Sequence, residues 1–139
     1  MNGIVSTSGQ YWLLNTLASK INTDGGLYVG LMSNAMTPSK SFQTPSGIVE
    51  LDGDSTICSG YERQLSSTWT VVSGSMPYIK GSDVTFTVGS GVWSDVYGYF
   101  ITLDTTYSGV LWSELFPPDK GGLVASGNPI ILSPIYYQY

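Results

Sequence analysis

Only one stretch of this chain repeats its apolar residues at the period of a helix, and nearly everything after it is cut into short runs. Residues Gln10–Ile21 (QYWLLNTLASKI) place Trp12, Leu13, Leu17 and Ile21 at helical spacing, with Leu14 and Ala18 widening the stripe. Ser8 is the expected N-cap and Asn22 the expected stop, ahead of an Asp24-Gly25-Gly26 turn. Met1–Gly9 is small and polar and reads as an arm in front of the helix. From Leu27 onward, Gly, Pro, Ser and Asp interrupt each apolar run before it reaches helical length, which is the pattern of many short strands.

Those runs can be placed one by one. Leu27–Met32 (LYVGLM) suits a buried strand, with Gly30 marking a bulge or a close approach. Ser33–Asp54 holds Pro38, Pro45, Gly47 and Gly53 among Ser and Thr, so a long loop is expected, with a brief strand near Ile48–Leu51. Tyr61–Val72 reads as a strand or bent pair carrying Leu65, Trp69 and Val71, and Gly74–Gly81 as a connector. Asp83–Val88 alternates most cleanly, with Val84, Phe86 and Val88 on one face and Thr85 and Thr87 on the other. Val96–Leu103 and Gly109–Phe116 follow around the turn Asp104–Ser108. Leu123–Ala125 and Pro129–Leu132 come next, and Pro134–Tyr139 ends the chain as an aromatic tail. The expected fold is a single, mainly all-β domain, a sandwich or barrel with one short N-terminal helix over residues 10–21. At 139 residues it can bury about 68% of the surface its unfolded form exposes, enough for one core.

Charge narrows the function. Only 11% of residues are charged, against about 25% for a typical soluble domain, so the surface is covered by Ser, Thr, Gly, Asn and Tyr. Such a skin suits secreted β-proteins and subunits whose faces meet copies of themselves. Lys20, Lys40, Arg63, Lys80 and Lys120 are scattered singly in a chain of net charge −5, which argues against binding DNA or RNA. No run approaches the roughly 20 apolar residues of a membrane span, and the N-terminus lacks the pattern of a signal peptide. Synthesis in a cytosol, without a secretion signal, is therefore expected.

Chemistry finds few footholds. The chain has no histidine, which removes the usual Ser–His–Asp and Cys–His nucleophile systems and the commonest zinc ligand. Cys58 is alone and reads as a small buried apolar side chain. Glu50, Asp52 and Asp54 make an oxygen-rich loop of the kind calcium favours, but not at calcium-loop spacing. Glu62, Asp95 and Glu114 are the candidates for a carboxylate pair, with nothing in the sequence to bring two together. Gly89-Ser90-Gly91 lacks the helix and Lys of a phosphate loop. The expectation is a non-enzyme with no cofactor and no metal.

Aromatic residues make up 13% of the chain. Trp12, Trp69, Trp93 and Trp112 are expected in the core. Tyr78, Tyr97, Tyr107, Tyr136, Tyr137 and Tyr139 are expected to reach the surface, where a tyrosine stacks on sugars or anchors a protein interface. The tail Ile135-Tyr136-Tyr137-Gln138-Tyr139 favours the interface.

A succession of short motifs carries a resemblance. After the helix come Leu27-Tyr28-Val29-Gly30-Leu31, a Pro/Ser/Gly loop, Ser59-Gly60-Tyr61-Glu62-Arg63 and Asp83-Val84-Thr85-Phe86. Then follow Trp93-Ser94-Asp95-Val96-Tyr97-Gly98-Tyr99-Phe100-Ile101, Gly109-Val110-Leu111-Trp112-Ser113-Glu114-Leu115-Phe116 and a closing Gly-Asn-Pro-Ile-Ile-Leu strand. In order and content the chain resembles a broad family of small tailed-phage virion proteins, some of them capsid decoration (cement) proteins and others tail-associated. The resemblance implies a jelly-roll-like β fold, frequent assembly as a homotrimer, the major capsid protein as partner, and a place on the capsid surface. The aromatic end after Pro134 and the long Ser33–Asp54 loop depart from the pattern. The surfaces expected to order on docking are the arm, with Ile4 and Val5, and the tail, with Tyr136, Tyr137 and Tyr139. A carbohydrate-binding β module is the alternative from another class.

Overall fold

The computed structural model describes residues 3, 6–34, 49–51, 53, 58–88, 92–103, 105, 110–116, 123–126 and 129–137, without the side chains of 92, 94, 95 and 123–126. Among these residues the chain is mainly β, with one helix in front, as its punctuation predicts.

Helix α1 spans Thr7–Thr23, longer at both ends than its apolar stripe. Its N-cap is Ser6, not Ser8: extended backbone at Ser6 lets its Oγ accept from the Gly9 N–H at 3.0 Å. Thr7–Gly9, expected in the arm, is therefore the first helical turn. Ile4 and Val5 lie outside the described residues. Leu14, Ala18 and Ile21 form the buried stripe, with Leu17 packed beside them. At roughly 100° per residue, Trp12 sits half a turn away from Ile21. Trp12 is accordingly 66% exposed rather than in the core, and Leu13 is exposed with it.

Asn22, the expected stop, lies one residue inside the helix end and has a different task. Its Nδ2 donates to the Trp69 carbonyl at 2.8 Å and its Oδ1 accepts the Trp69 N–H at 2.7 Å. One side-chain amide thus stands in for a neighbouring strand. Asn22→Ala leaves both Trp69 groups without it, and is expected to cost about 2 kcal/mol in urea unfolding, with α1 intact by circular dichroism.

Strand β1 (Leu27–Met32) pairs antiparallel with β2 (Gln64–Ser66) on one side and β7 (Gly98–Thr102) on the other; β8 (Trp112–Leu115) continues the sheet beyond β7. Gly30 opposes Phe100, and a Cβ at Gly30 would run into the Phe100 ring. The close approach expected at Gly30 is thus an aromatic ring covering a glycine.

The rest of the framework is built from bent strands. Tyr61–Val72 resolves into β2 and β3 (Trp69–Val72), a bent pair, with Ser66 buried and Leu65 exposed. β3 pairs with β4 (Tyr78–Gly81), so the expected connector Gly74–Gly81 ends in a strand centred on fully buried Ile79. β5 (Val84–Phe86) follows directly; Val84 and Phe86 point inward and Thr85 outward, as the alternation predicts. β10 (Ile130–Leu132) pairs with β5, and β11 (Ile135–Tyr137) pairs with β4. Residues 134–139 are thus no free tail over 135–137, which form a sheet strand.

Between the pairs Leu132↔Val84 and Ile135↔Lys80 lie two residues on one strand (133 and 134) and three on the other (81 to 83). That is a bulge, and it turns the ribbon at a corner. The corner is polar and satisfied: Ser66 Oγ donates to the Ser82 carbonyl at 2.7 Å, Gly81 N–H to the Pro134 carbonyl at 2.8 Å, and Ser133 Oγ to the Asp83 carboxylate. β6 (Val92–Val96) pairs with β9 (Leu123–Ser126) and brings Trp93 and Val96 into the main core with Trp69, Phe86, Leu31 and Ile101.

Candidate functional site

The carboxylates named from the sequence are placed by strand order. Glu62 is exposed just before β2, whereas Glu114 lies on β8, at the opposite edge of the sheet β2-β1-β7-β8. Three strand spacings put them about 14 Å apart, beyond the range in which a glycosidase pair works. Glu114 faces its cross-strand partner Tyr99, whose hydroxyl donates to Oε2 at 2.7 Å and accepts the Ile135 N–H at 3.1 Å. The Asp95 side chain, Asp52 and Asp54 lie outside what is described, and no metal-binding cluster of acidic or Cys residues occurs among the described residues.

Glu50 is engaged otherwise. Its carboxylate takes two parallel bonds from Arg63, Nε to Oε1 and Nη2 to Oε2, both at 2.9 Å, and a third from the Tyr61 hydroxyl at 2.7 Å. Tyr61 in turn accepts the Leu31 N–H at 2.9 Å, and Arg63 lies 5.3 Å from the Phe100 ring centroid. The expected strand near Ile48–Leu51 is a bridge of Glu50 to Met32, flanked by Leu51 N–H to the Leu31 carbonyl at 3.1 Å and Ser33 N–H to the Val49 carbonyl at 2.7 Å. These bonds fasten residues 49–51 to the end of β1.

Two tyrosines give the fold an alkaline limit. Burial, and then the Glu50 charge, push the Tyr61 hydroxyl well above the usual tyrosine range; burial does the same to Tyr99, reinforced by Glu114. Unfolded, both ionise near pH 10. The folded state therefore holds more protons above that value, and the stability they contribute, complete below about pH 10, is lost as pH rises. The urea midpoint is expected to be flat from about pH 7 to 9 and to fall beyond 10, less steeply in Tyr61→Phe and Tyr99→Phe.

What remains is surface shape. A cleft of about 520 Å³ runs along the C-terminal half of α1, walled by Leu17, Ile21, Leu27, Ile79 and Tyr136. Leu103 and Leu111, both about half exposed, stand at its mouth, and Lys20 and Asp24, paired at 2.8 Å, sit on its rim. Its size is that of a ligand pocket, and its walls come from the helix and three strands. Toward the N-terminal end of α1, Tyr11, Trp12 and Leu13 are three consecutive exposed apolar residues, with Trp12 pointing away from the buried stripe and the other two on its flanks. Such a run on a soluble helix is a fault unless it meets something.

A third feature involves the tail tyrosines. Tyr78 and Tyr137 are cross-strand partners with ring centroids 5.0 Å apart, and Trp112 lies 6.2 Å from Tyr137 and 5.5 Å from Tyr136. All four are half-buried. Tyr136 and Tyr137, expected at an interface, are thus sheet residues with one wet side; Tyr139 and Tyr107 lie outside the described residues. Cys58 is buried, as expected. Trp69 and Trp93 are core residues, Trp112 is partly buried, and Trp12 is the departure. The helical wheel carried the signal for Trp12, whereas the cleft, assembled from residues far apart in sequence, left none. No helix among the described residues is long and apolar enough to cross a membrane. Comparison with protein-family models, curated proteins and solved structures finds no match.

Proposed function

We propose that this chain is a non-enzymatic adhesive module, a structural protein of a tailed-phage particle that decorates the outer shell of the capsid and ties neighbouring subunits together. Its partners in this reading are the major capsid protein and further copies of itself, and the jelly-roll-like arrangement implied by the motif resemblance belongs to the same reading. A tail-associated place uses the same logic. The observation that carries it is two separate exposed apolar surfaces, the Tyr11-Trp12-Leu13 run and the cleft along the C-terminal half of α1, on a chain with only 11% charged residues. Binding only the assembled shell stabilises that shell by mass action, and repetition around a symmetric site turns modest contacts into avidity.

The test is location. An antibody raised against the purified chain should label the outer shell of intact particles from cells that make it, with matching density on the capsid in electron cryomicroscopy. Label confined to tails moves the proposal to the tail-associated version. Particles that carry none of the chain overturn both.

The row Tyr78–Tyr137–Trp112 favours a second reading, a carbohydrate-binding module, because half-exposed rings present faces to sugars. Tryptophan fluorescence that stays flat against a glycan panel removes it.

A further inference from the structure

We infer that Asn22 is an edge guard: its amide holds shut the backbone edge of β3, along which a second copy of this chain would otherwise add its own β3. The inference goes beyond the adhesive reading above and stands without it, since it names a surface by which copies are kept from meeting.

Three observations carry it. The sheet β11-β4-β3 ends at β3 and at β11, neither of which has a further strand neighbour among the described residues. Such an edge is a template for another strand unless charge, proline, a bulge or a covering element blunts it. β3 (Trp69-Thr70-Val71-Val72) has no charge and no proline, and its residues are aromatic or β-branched, the types that pair most readily. Its protection comes from the helix instead. Asn22 accepts the Trp69 N–H at 2.7 Å and donates to the Trp69 carbonyl at 2.8 Å, the two bonds an antiparallel neighbour would make at that residue.

The third observation is that the opposite edge is closed in the same way. Ile135 of β11 gives its N–H to the Tyr99 hydroxyl at 3.1 Å, and that hydroxyl lies 3.4 Å from the Ile135 carbonyl oxygen. At both edges, one polar side chain from another element takes up the backbone of one residue.

The register of the prevented contact follows from the ladder. Backbone groups of successive residues point alternately to one neighbour and to the other. Trp69 turns its N–H and C=O away from β4, so Val71 does too, while Thr70 faces β4. Two β3 edges meeting about a two-fold axis therefore match Trp69 with Val71 of the second copy, and Thr70 with Thr70. The contact is isologous and would join two three-stranded sheets into one. Asn22 lies in the last turn of α1, the part of a helix that loosens most easily, so losing its two bonds uncovers the edge with the rest of the helix in place.

The experiment is sedimentation equilibrium of the full chain, with hydrogen exchange read at the Trp69 and Val71 amides. Asn22→Ala is expected to associate about 10-fold more tightly than wild type, or better, the worth of one net hydrogen bond. Its Trp69 and Val71 amides should exchange more slowly as concentration rises. Thr70 is exposed, so Thr70→Lys leaves the core untouched and sets two ammonium groups opposite each other across the axis. Added to Asn22→Ala, it should restore wild-type behaviour, whereas lysine at exposed Ser19, on the outer face of α1, should not. Asn22→Asp keeps an acceptor for the Trp69 N–H and loses the donor; it should fall between, and it carries the test if circular dichroism shows that Asn22→Ala does not fold. A folded variant at Asn22 that associates no more than wild type overturns the inference, as does association that Thr70→Lys leaves unchanged.

Discussion

Trp69→Ala is expected to lower the free energy of unfolding by about 4 kcal/mol, the upper part of the range for emptying an aromatic site in a core. Trp69 is 1% exposed, and its ring lies on Gly81, its cross-strand partner, where even a Cβ would collide with it. Its Nε1 donates to the Ser66 carbonyl at 2.9 Å, tying β3 to β2 across the bend, while its backbone is held by Asn22 of the helix. Truncation thus opens a void where helix, corner and sheet meet, and strips a partner from a buried carbonyl. Trp69→Phe refills most of the void without restoring that bond, so about half the loss should return. Urea unfolding at constant m-value gives both numbers, and the alanine variant should melt on the order of 10 °C lower.

The same residue explains how far the sequence could be read. Trp69 and Phe86 sit in runs whose period of two is local, so their inward direction was legible from neighbours. The ring over Gly30 was half legible: a glycine inside an apolar strand implies a close approach but does not name Phe100, which lies 70 positions away. The bulge opposite Ser133 and Pro134 was not legible, because it exists only as a mismatch between two registers. Tyr136 and Tyr137 read as an aromatic tail because nothing local says that Tyr78-Ile79-Lys80, which reads as a connector, pairs with them. Trp12 departs for a different reason: its type suits the core, but its angle from Ile21 puts it outside. The candidate surfaces inherit these limits. The exposure of Trp12 could be found by geometry on one helix, whereas the cleft needed the fold.

Glu50→Ala is expected to cost about 3 kcal/mol, more than an exposed ion pair would, because the Arg63 side chain is only 15% exposed and Glu50 only 30%. Removing the carboxylate leaves the guanidinium against Phe100 without its bidentate partner, and the Tyr61 hydroxyl without an acceptor beside the Leu31 N–H. The loss should be local in its structural effect. Hydrogen exchange is expected to quicken first at Leu51 and Ser33, whose amides join residues 49–51 to the end of β1, while β3, β4 and the helix keep their protection. The double variant Glu50→Met/Arg63→Met discriminates between two accounts of the cluster. If the pair matters as charge, both single variants should be worse than the double, since Met in both places removes two desolvation costs together with the attraction and leaves no charge stranded. If it matters as shape, with Arg63 serving mainly as cover for Phe100, the Arg63→Met change alone should be nearly silent and the double should match Glu50→Met. A double-mutant cycle with a coupling of at least about 2 kcal/mol selects the first account, and that is the expected result given two parallel bonds at 2.9 Å.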